Sequence, residues 1–262
     1  ADTLNRWIDV RHDLDILAGE PNVRFRIAFA SNNSTILNGF AFDDVWIGER
    51  PRKVLFEHFT NANDALSSEG NELFNAWVNQ NKIDIVDIQH HTEYPVADQL
   101  NLDYPQGASA QSLLYGISIV PYSIMDRNFF RKQTQSWLNP NDNYLAKLRH
   151  RRLTDPKFTI DIDLGFTGNT INILTEITAL ESITDKNLTA HVVVLEKMIE
   201  QTGVGTNGET KFRNVVKKML PDAAGTNISE NWNMGDIRSL QYSSSLSNFY
   251  NAADSNVVVV VY

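Results

Sequence analysis

Asp64 and Ser67 stand three residues apart at the head of a helix-like segment, with His58 and His91 as the bases nearest them in the pattern. Residues at that spacing share a helix face. A Ser–His–Asp relay would need the base within hydrogen-bond reach of the hydroxyl and a set of donors for the oxyanion. The sequence displays neither, and a serine at a helix start also reads as a capping or solvated hydroxyl. His90, His91, Glu93 and Asp98 form a second group with metal-ligating side chains. Adjacent histidines on an extended chain point to opposite faces, which sets them against sharing one ion. Asp43 and Asp44 are a third group, an acidic pair inside an apolar stretch. Calcium takes about six to eight oxygens, so two acids supply only part of a site. The chain has no cysteine, which removes disulfides, thiolate metal sites and thiol nucleophiles together.

With 262 residues, 42% hydrophobic and 21% charged, the chain has the composition of a globular protein of one large or two to three small domains. A formal charge of −9 argues against nucleic acid, whose phosphates need clustered cations. The basic run Lys147–Arg152 reads as the cationic C-terminal end of a helix. No apolar run is long enough to cross a membrane. The valines 257–261 read as a buried strand. Without an initiator Met, Ala1 is expected to mark a processed or excised start.

The elements that must position these groups follow in order. Val23–Ala30 alternates with period two and predicts a half-buried strand, as does Gly39–Gly48. These are too few strands to close a sandwich, so residues 1–50 read as the tail of a β domain that begins upstream. Proline and charge at Arg50-Pro51-Arg52 mark a boundary. A strand from Val54 to Phe59, a helix from Asn63 to Asn79 capped by Asn63 or Asp64, and a strand from Ile83 to Ile88 follow. A last strand opens at Val120-Pro121. Asn139 and Pro140 start a further helix carrying Tyr144, Leu145 and Leu148, closed by Thr154-Asp155-Pro156. Beyond it the pattern is β: Phe158–Leu164, Thr170–Ile177, Leu188–Leu195, Lys211–Leu220 and Asn256–Tyr262, the spacing of a sandwich.

Three resemblances overlie this pattern. Gly39, Phe40, Phe42, Asp43, Asp44 and Val45 resemble the closing strand of MAM-like and cleaved-adhesin jelly rolls, modules that often hold calcium, which makes Asp43 and Asp44 the calcium candidates. Strand, turn, helix, strand and a Val-Pro strand resemble a thioredoxin-like unit. More closely, Glu57, Phe59, Thr60, Asn61 and Ala62, then His91, Pro95 and Asp98, then Tyr115, Gly116, Ile117, Val120 and Pro121 resemble the Omp28-related outer-membrane or secreted proteins of Bacteroidetes. Asn214–Pro221 with Ala224 and Gly225 is similar to the Ig-like C-terminal part of that family. The resemblance places Asp64 and Ser67 where the family's two cysteines stand, and makes Pro121 the expected cis-proline opposite them. A carboxylate and a hydroxyl cannot replace a thiol pair in exchange. No thiol–disulfide activity is expected.

The expected architecture is therefore mixed. Residues 1–50 would be the C-terminal strands of a jelly roll, 51–155 a thioredoxin-like α/β domain without its redox cysteines, and 156–262 an all-β Ig-like sandwich truncated at its C-terminal end. The expected function is a non-catalytic exported or cell-surface protein of adhesin or protein-binding type. It would lie outside the cell or on the outer membrane, with a protein, peptide or surface glycan as partner. The resemblance also implies export by outer-membrane secretion machinery, the type IX route included. Two alternatives stand beside it: the accessory region of a secreted hydrolase whose catalytic domain lies upstream, and a calcium-stabilised binding module. Neither a catalytic constellation nor another cofactor is read from the sequence.

Overall fold

The computed structural model describes residues 10–30, 34, 41–48, 52–82, 84–128, 130–133 and 144–262. Strand outweighs helix, 35% to 21%, so the chain is of mixed class with β dominant. Strand β1 (Val54–Thr60) is buried along its whole length and pairs in parallel with β2 (Ile85–His91). Helix α1 (Ala65–Gln80) connects them, since a parallel neighbour can be reached only by a crossover. On the other edge of β1 lies β3 (Tyr122–Met125), antiparallel, and beyond it β4 (Phe130–Gln133). Between β2 and β3 run two short helices, α2 (Gln99–Asp103) and α3 (Pro105–Tyr115). Helix α3 ends at Gly116 in the left-handed conformation, φ 64°, which glycine adopts without steric cost. Helix α4 (Tyr144–Arg152) seats Leu148 in a core with Val54, Phe56, Phe74, Val78, Ile85 and Met125. Full burial of a side chain such as Phe74 contributes about 2–3 kcal/mol.

The C-terminal half supplies β5 (Phe158–Thr167), β6 (Thr170–Ala179), β7 (Thr189–Ala190), β8 (Val192–Glu200), β9 (Lys211–Leu220), β10 (Thr226–Asn227), β11 (Ile237–Ser245) and β12 (Val257–Val261). A three-stranded sheet of order β11-β6-β5 faces β12-β8-β9 across a core that includes Ile171, Ile173, Val192, Val194, Leu220 and Leu246. The sequence boundary near Pro156 is not a boundary in the sheet. β9 pairs with β2 at Gln89–Val215, giving one sheet of order β12-β8-β9-β2-β1-β3-β4. Leu55, Ile88, Tyr104, Val193, Leu195, Val216 and Met219 then form a core shared by both halves.

Three expectations need correction. Residues 23–30 and 41–48 form no strand, and Phe25, Phe29, Phe42 and Trp46 are all more than half exposed. Alternation defines a face, but it does not by itself supply the paired neighbouring strand that a strand also needs. Gly39 and Phe40 lie outside the described residues, as do Asn139 and Pro140. The strand expected at Leu188–Leu195 is broken at His191 into β7 and β8, and β8 continues to Glu200. Strand β11 was not foreseen, because its sheet-inward positions include Arg238 and Ser244 and its apolar content is low.

Candidate functional site

The turn from Thr60 to Ser67 is built around the N-terminus of α1. Asp64 is the N-cap: its backbone is extended and its carboxylate accepts the Ser67 N–H at 2.8 Å. Ser67 is fully buried, and its hydroxyl accepts the Asn61 N–H at 3.3 Å. The structure thus brings Asp64 and Ser67 together as a cap. It does not bring them to the histidines.

His58 is occupied elsewhere. Its Nδ1 accepts from the Ser123 hydroxyl at 2.7 Å, its Nε2 donates to Asn71 Oδ1 at 2.8 Å, and its ring stacks on Phe74 at 4.2 Å. Thr60 donates to the same Asn71 oxygen, and Asn71 donates onward to the Glu209 carboxylate at 2.9 Å. Ser123, His58 and Asn71 are connected as in a nucleophile relay, but they are 0%, 0% and 2% exposed, with no room for a substrate. Burial pushes the His58 pKa down to about 4, the Asn71 bond opposing it and the nearby His91 adding to it. The ring is neutral at pH 7. This network is a structural pin.

His91 points to Asp98, Nδ1 to Oδ2 at 2.7 Å. The same carboxylate caps α2 by accepting the Leu100 N–H at 2.8 Å and reaches back to the Ala62 N–H at 2.7 Å. Burial alone would raise the Asp98 pKa. His91 and these two N–H groups hold it below its usual value. Asn61 adds three amide bonds to the backbone oxygens of Thr92, Tyr94 and Val96. Thr60, Asn61, Ala62, His91 and Asp98 therefore form one clasp between the turn and the chain after β2.

What faces the turn decides its accessibility. The loop between β8 and β9 lies directly on it. Thr206 and Asn207 donate their backbone N–H groups to the Ala62 oxygen at 3.0 and 3.2 Å. Thr206 also bonds the Asn63 side chain, and Asn207 bonds the backbone oxygens of Asn61 and Asp64. At Gly205 a Cβ would lie 2.0 Å from the Ala62 oxygen, so only glycine permits this approach. The turn is closed by its own chain.

Val120–Pro121 is cis, as the resemblance implied, and Tyr94–Pro95 and Leu220–Pro221 are cis as well. Asp43 and Asp44 occupy an exposed stretch where Asp43 Oδ1 accepts the Asp44 N–H at 2.8 Å. Among the described residues no three His, Asp or Glu side chains are grouped as a metal site would require. His90 and His91 do diverge: His90 stacks on Phe59 at 4.9 Å, on the other face of the sheet from His58. There Glu57, fully buried, accepts from the hydroxyls of Tyr115 at 2.5 Å and Tyr262 at 3.2 Å. The basic run of α4 is engaged in ion pairs, Arg151 with Asp126 at 2.6 Å and Arg152 with Asp84 at 2.7 Å.

Two groups of residues escaped the reading of the sequence. Asn71 was hidden in the polar register of α1, and Glu209 in a loop 138 residues away from it. Glu196 and Lys217, both fully buried, could have been suspected, because each directly follows an apolar run of its strand, Val192–Leu195 and Val215-Val216.

No protein-family model and no curated protein matches the chain. Among solved structures, HBP35 of Porphyromonas gingivalis superposes with a TM-score of 0.62 at 15% identity, over 82% of this chain and 70% of that one. The two share a fold. A protein from Agrobacterium tumefaciens gives a TM-score of 0.47 at 14% identity over 76% of this chain and 81% of its own, too low to carry an argument. No described helix is long and apolar enough to cross a membrane.

Proposed function

We propose that this chain is a non-catalytic exported or cell-surface protein of adhesin or protein-binding type, built around a redox-inactive thioredoxin-like unit of Omp28-related character and an Ig-like sandwich. The carrying observation is the closed turn. Where a thiol–disulfide enzyme needs an accessible thiol pair, this chain has a capping Asp64 and a buried Ser67 beneath the 201–210 loop. The shared fold with a protein of a Bacteroidetes species supports the assignment to that group, and the absence of cysteine supports the loss of redox activity. With the turn closed, the unit serves as a rigid body that carries surface elsewhere on the molecule.

Two measurements test the two parts of this reading. The purified chain should not reduce insulin with dithiothreitol as electron source, and turnover above the buffer rate would overturn the redox-inactive assignment. An antibody raised against the chain should label intact cells of the source organism without permeabilisation. Labelling only after lysis would overturn the surface assignment.

A further inference from the structure

A buried cation and two carboxyl groups meet between α2, β8 and β9. Lys217 Nζ lies 2.8 Å from Asp103 Oδ2 and 3.4 Å from Glu196 Oε2, and the side chains of Lys217 and Glu196 have no solvent exposure. Asp103 is 15% exposed. The ammonium sits 4.5 Å from the Tyr250 ring centroid and 6.0 Å from that of Phe249. The backbone is held too: Asn248 Nδ2 donates to the Asp103 oxygen at 3.3 Å and to the Lys217 oxygen at 2.9 Å. Glu196 is fixed by the N–H groups of Tyr250 and Asn251 at 3.1 and 2.7 Å.

An ion pair of this kind is a weak source of stability, because both charges lose their hydration. The same desolvation favours a reaction that consumes both charges. We propose that Lys217 and Asp103 condense to an intramolecular amide, with Glu196 as the proton-relaying group. The pair is pre-assembled, so the step is unimolecular, and an amine in an apolar pocket is an activated nucleophile. Lys217 passes one proton to Asp103 across their contact, leaving an amine and a carboxylic acid. The nitrogen lone pair forms a bond to Asp103 Cγ, and the carbonyl electron pair moves onto oxygen. Glu196 accepts a proton from the nitrogen and delivers it to the departing hydroxyl. The C–O bond breaks and water leaves. Ammonium and carboxylate become amide and water, nothing is oxidised or reduced, and Glu196 ends as it began. The bond would tie α2 to β9 in a chain that has no cysteine for the purpose.

The test is the intact mass of the purified chain under denaturing conditions. It should fall below the sequence mass by one water, and trypsin should release a branched peptide joining the Asp103 segment to an uncleaved Lys217 segment. Glu196→Gln, close in shape, should remain at the sequence mass with its circular dichroism unchanged. Asp103→Asn should give the same branched peptide with loss of ammonia instead of water. A wild-type chain at full sequence mass without the branched peptide overturns the proposal. Complete cross-linking in Glu196→Gln overturns the role given to Glu196.

Discussion

His58 and His90 lie on adjacent strands of one sheet, both fully buried, and they are treated in opposite ways. On the α1 face, His58 uses both ring nitrogens and stacks on Phe74. On the α3 face, neither nitrogen of His90 has a hydrogen-bond partner, and the nearest carboxyl oxygen, Glu57 Oε1, is 3.7 Å away. The first face is specified by polar contacts that reach Glu209 in the β8–β9 loop. The second has its polar contacts at Glu57, with the Tyr115 and Tyr262 hydroxyls, and around His90 it is filled by shape. If so, equivalent substitutions on the two faces should have very unequal costs.

The largest effect is expected for His58→Phe. It would leave the Ser123 hydroxyl without its partner and take one of the bonds to Asn71, with no water able to replace them. Two under-satisfied buried groups cost about 4 kcal/mol together, read as the shift in urea unfolding free energy. Next is acid. The folded pKa of His58 is about 4 and its ordinary value 6.5, so the unfolded chain binds more protons between these limits. Stability is then complete above pH 6.5, is lost as pH falls towards 4, and levels below that, by about 3 kcal/mol from this residue. His191 adds to the same window: burial and the nearby Arg127 push it down to about 4 as well. Urea midpoints measured across that window should fall in the wild type. In a His58→Gln chain that folds, the slope should be smaller.

Gly205→Ala tests the closing of the turn. The added methyl meets the Ala62 oxygen, so the loop must move off the turn at a cost of about 2 kcal/mol. Hydrogen exchange at Thr206 and Asn207 should speed up locally even where the global midpoint moves little. Tyr262→Phe removes one bond to Glu57 and should cost about 1 kcal/mol.

The reach of the sequence follows the distance over which its cues act. Strand β1, helix α1, a cap at Asn63 or Asp64 and the bounds of β9 were legible because each is set by residues within a few positions. The cis bond at Pro121 was legible through the resemblance alone. The sealing of the turn was not, since Gly205 and Ala62 lie far apart in the chain and an isolated glycine in a loop has many uses. Nor was the pairing of β9 with β2, because Val215 reads the same at an edge or in the middle of a sheet. The chemical candidates failed for a related reason. Asp64, Ser67, His58 and His91 are neighbours in the pattern, but Asp64 caps Ser67, His58 is taken by Asn71 and Ser123, and His91 by Asp98.

The smallest effect is expected for His90→Phe, and it bears most directly on the contrast between the faces. The ring already stacks on Phe59 at 4.9 Å, and a phenyl group can keep that contact while giving up no hydrogen bond. Its slightly larger volume is the only new demand on the core, so the change in unfolding free energy should stay within about 1 kcal/mol. A loss as large as that of His58→Phe would mean that His90 carries a proton facing Glu57, an ion pair whose removal leaves a buried carboxylate with tyrosine donors alone. Both histidines would then be held by polar contacts, one through neutral hydrogen bonds and the other through charge.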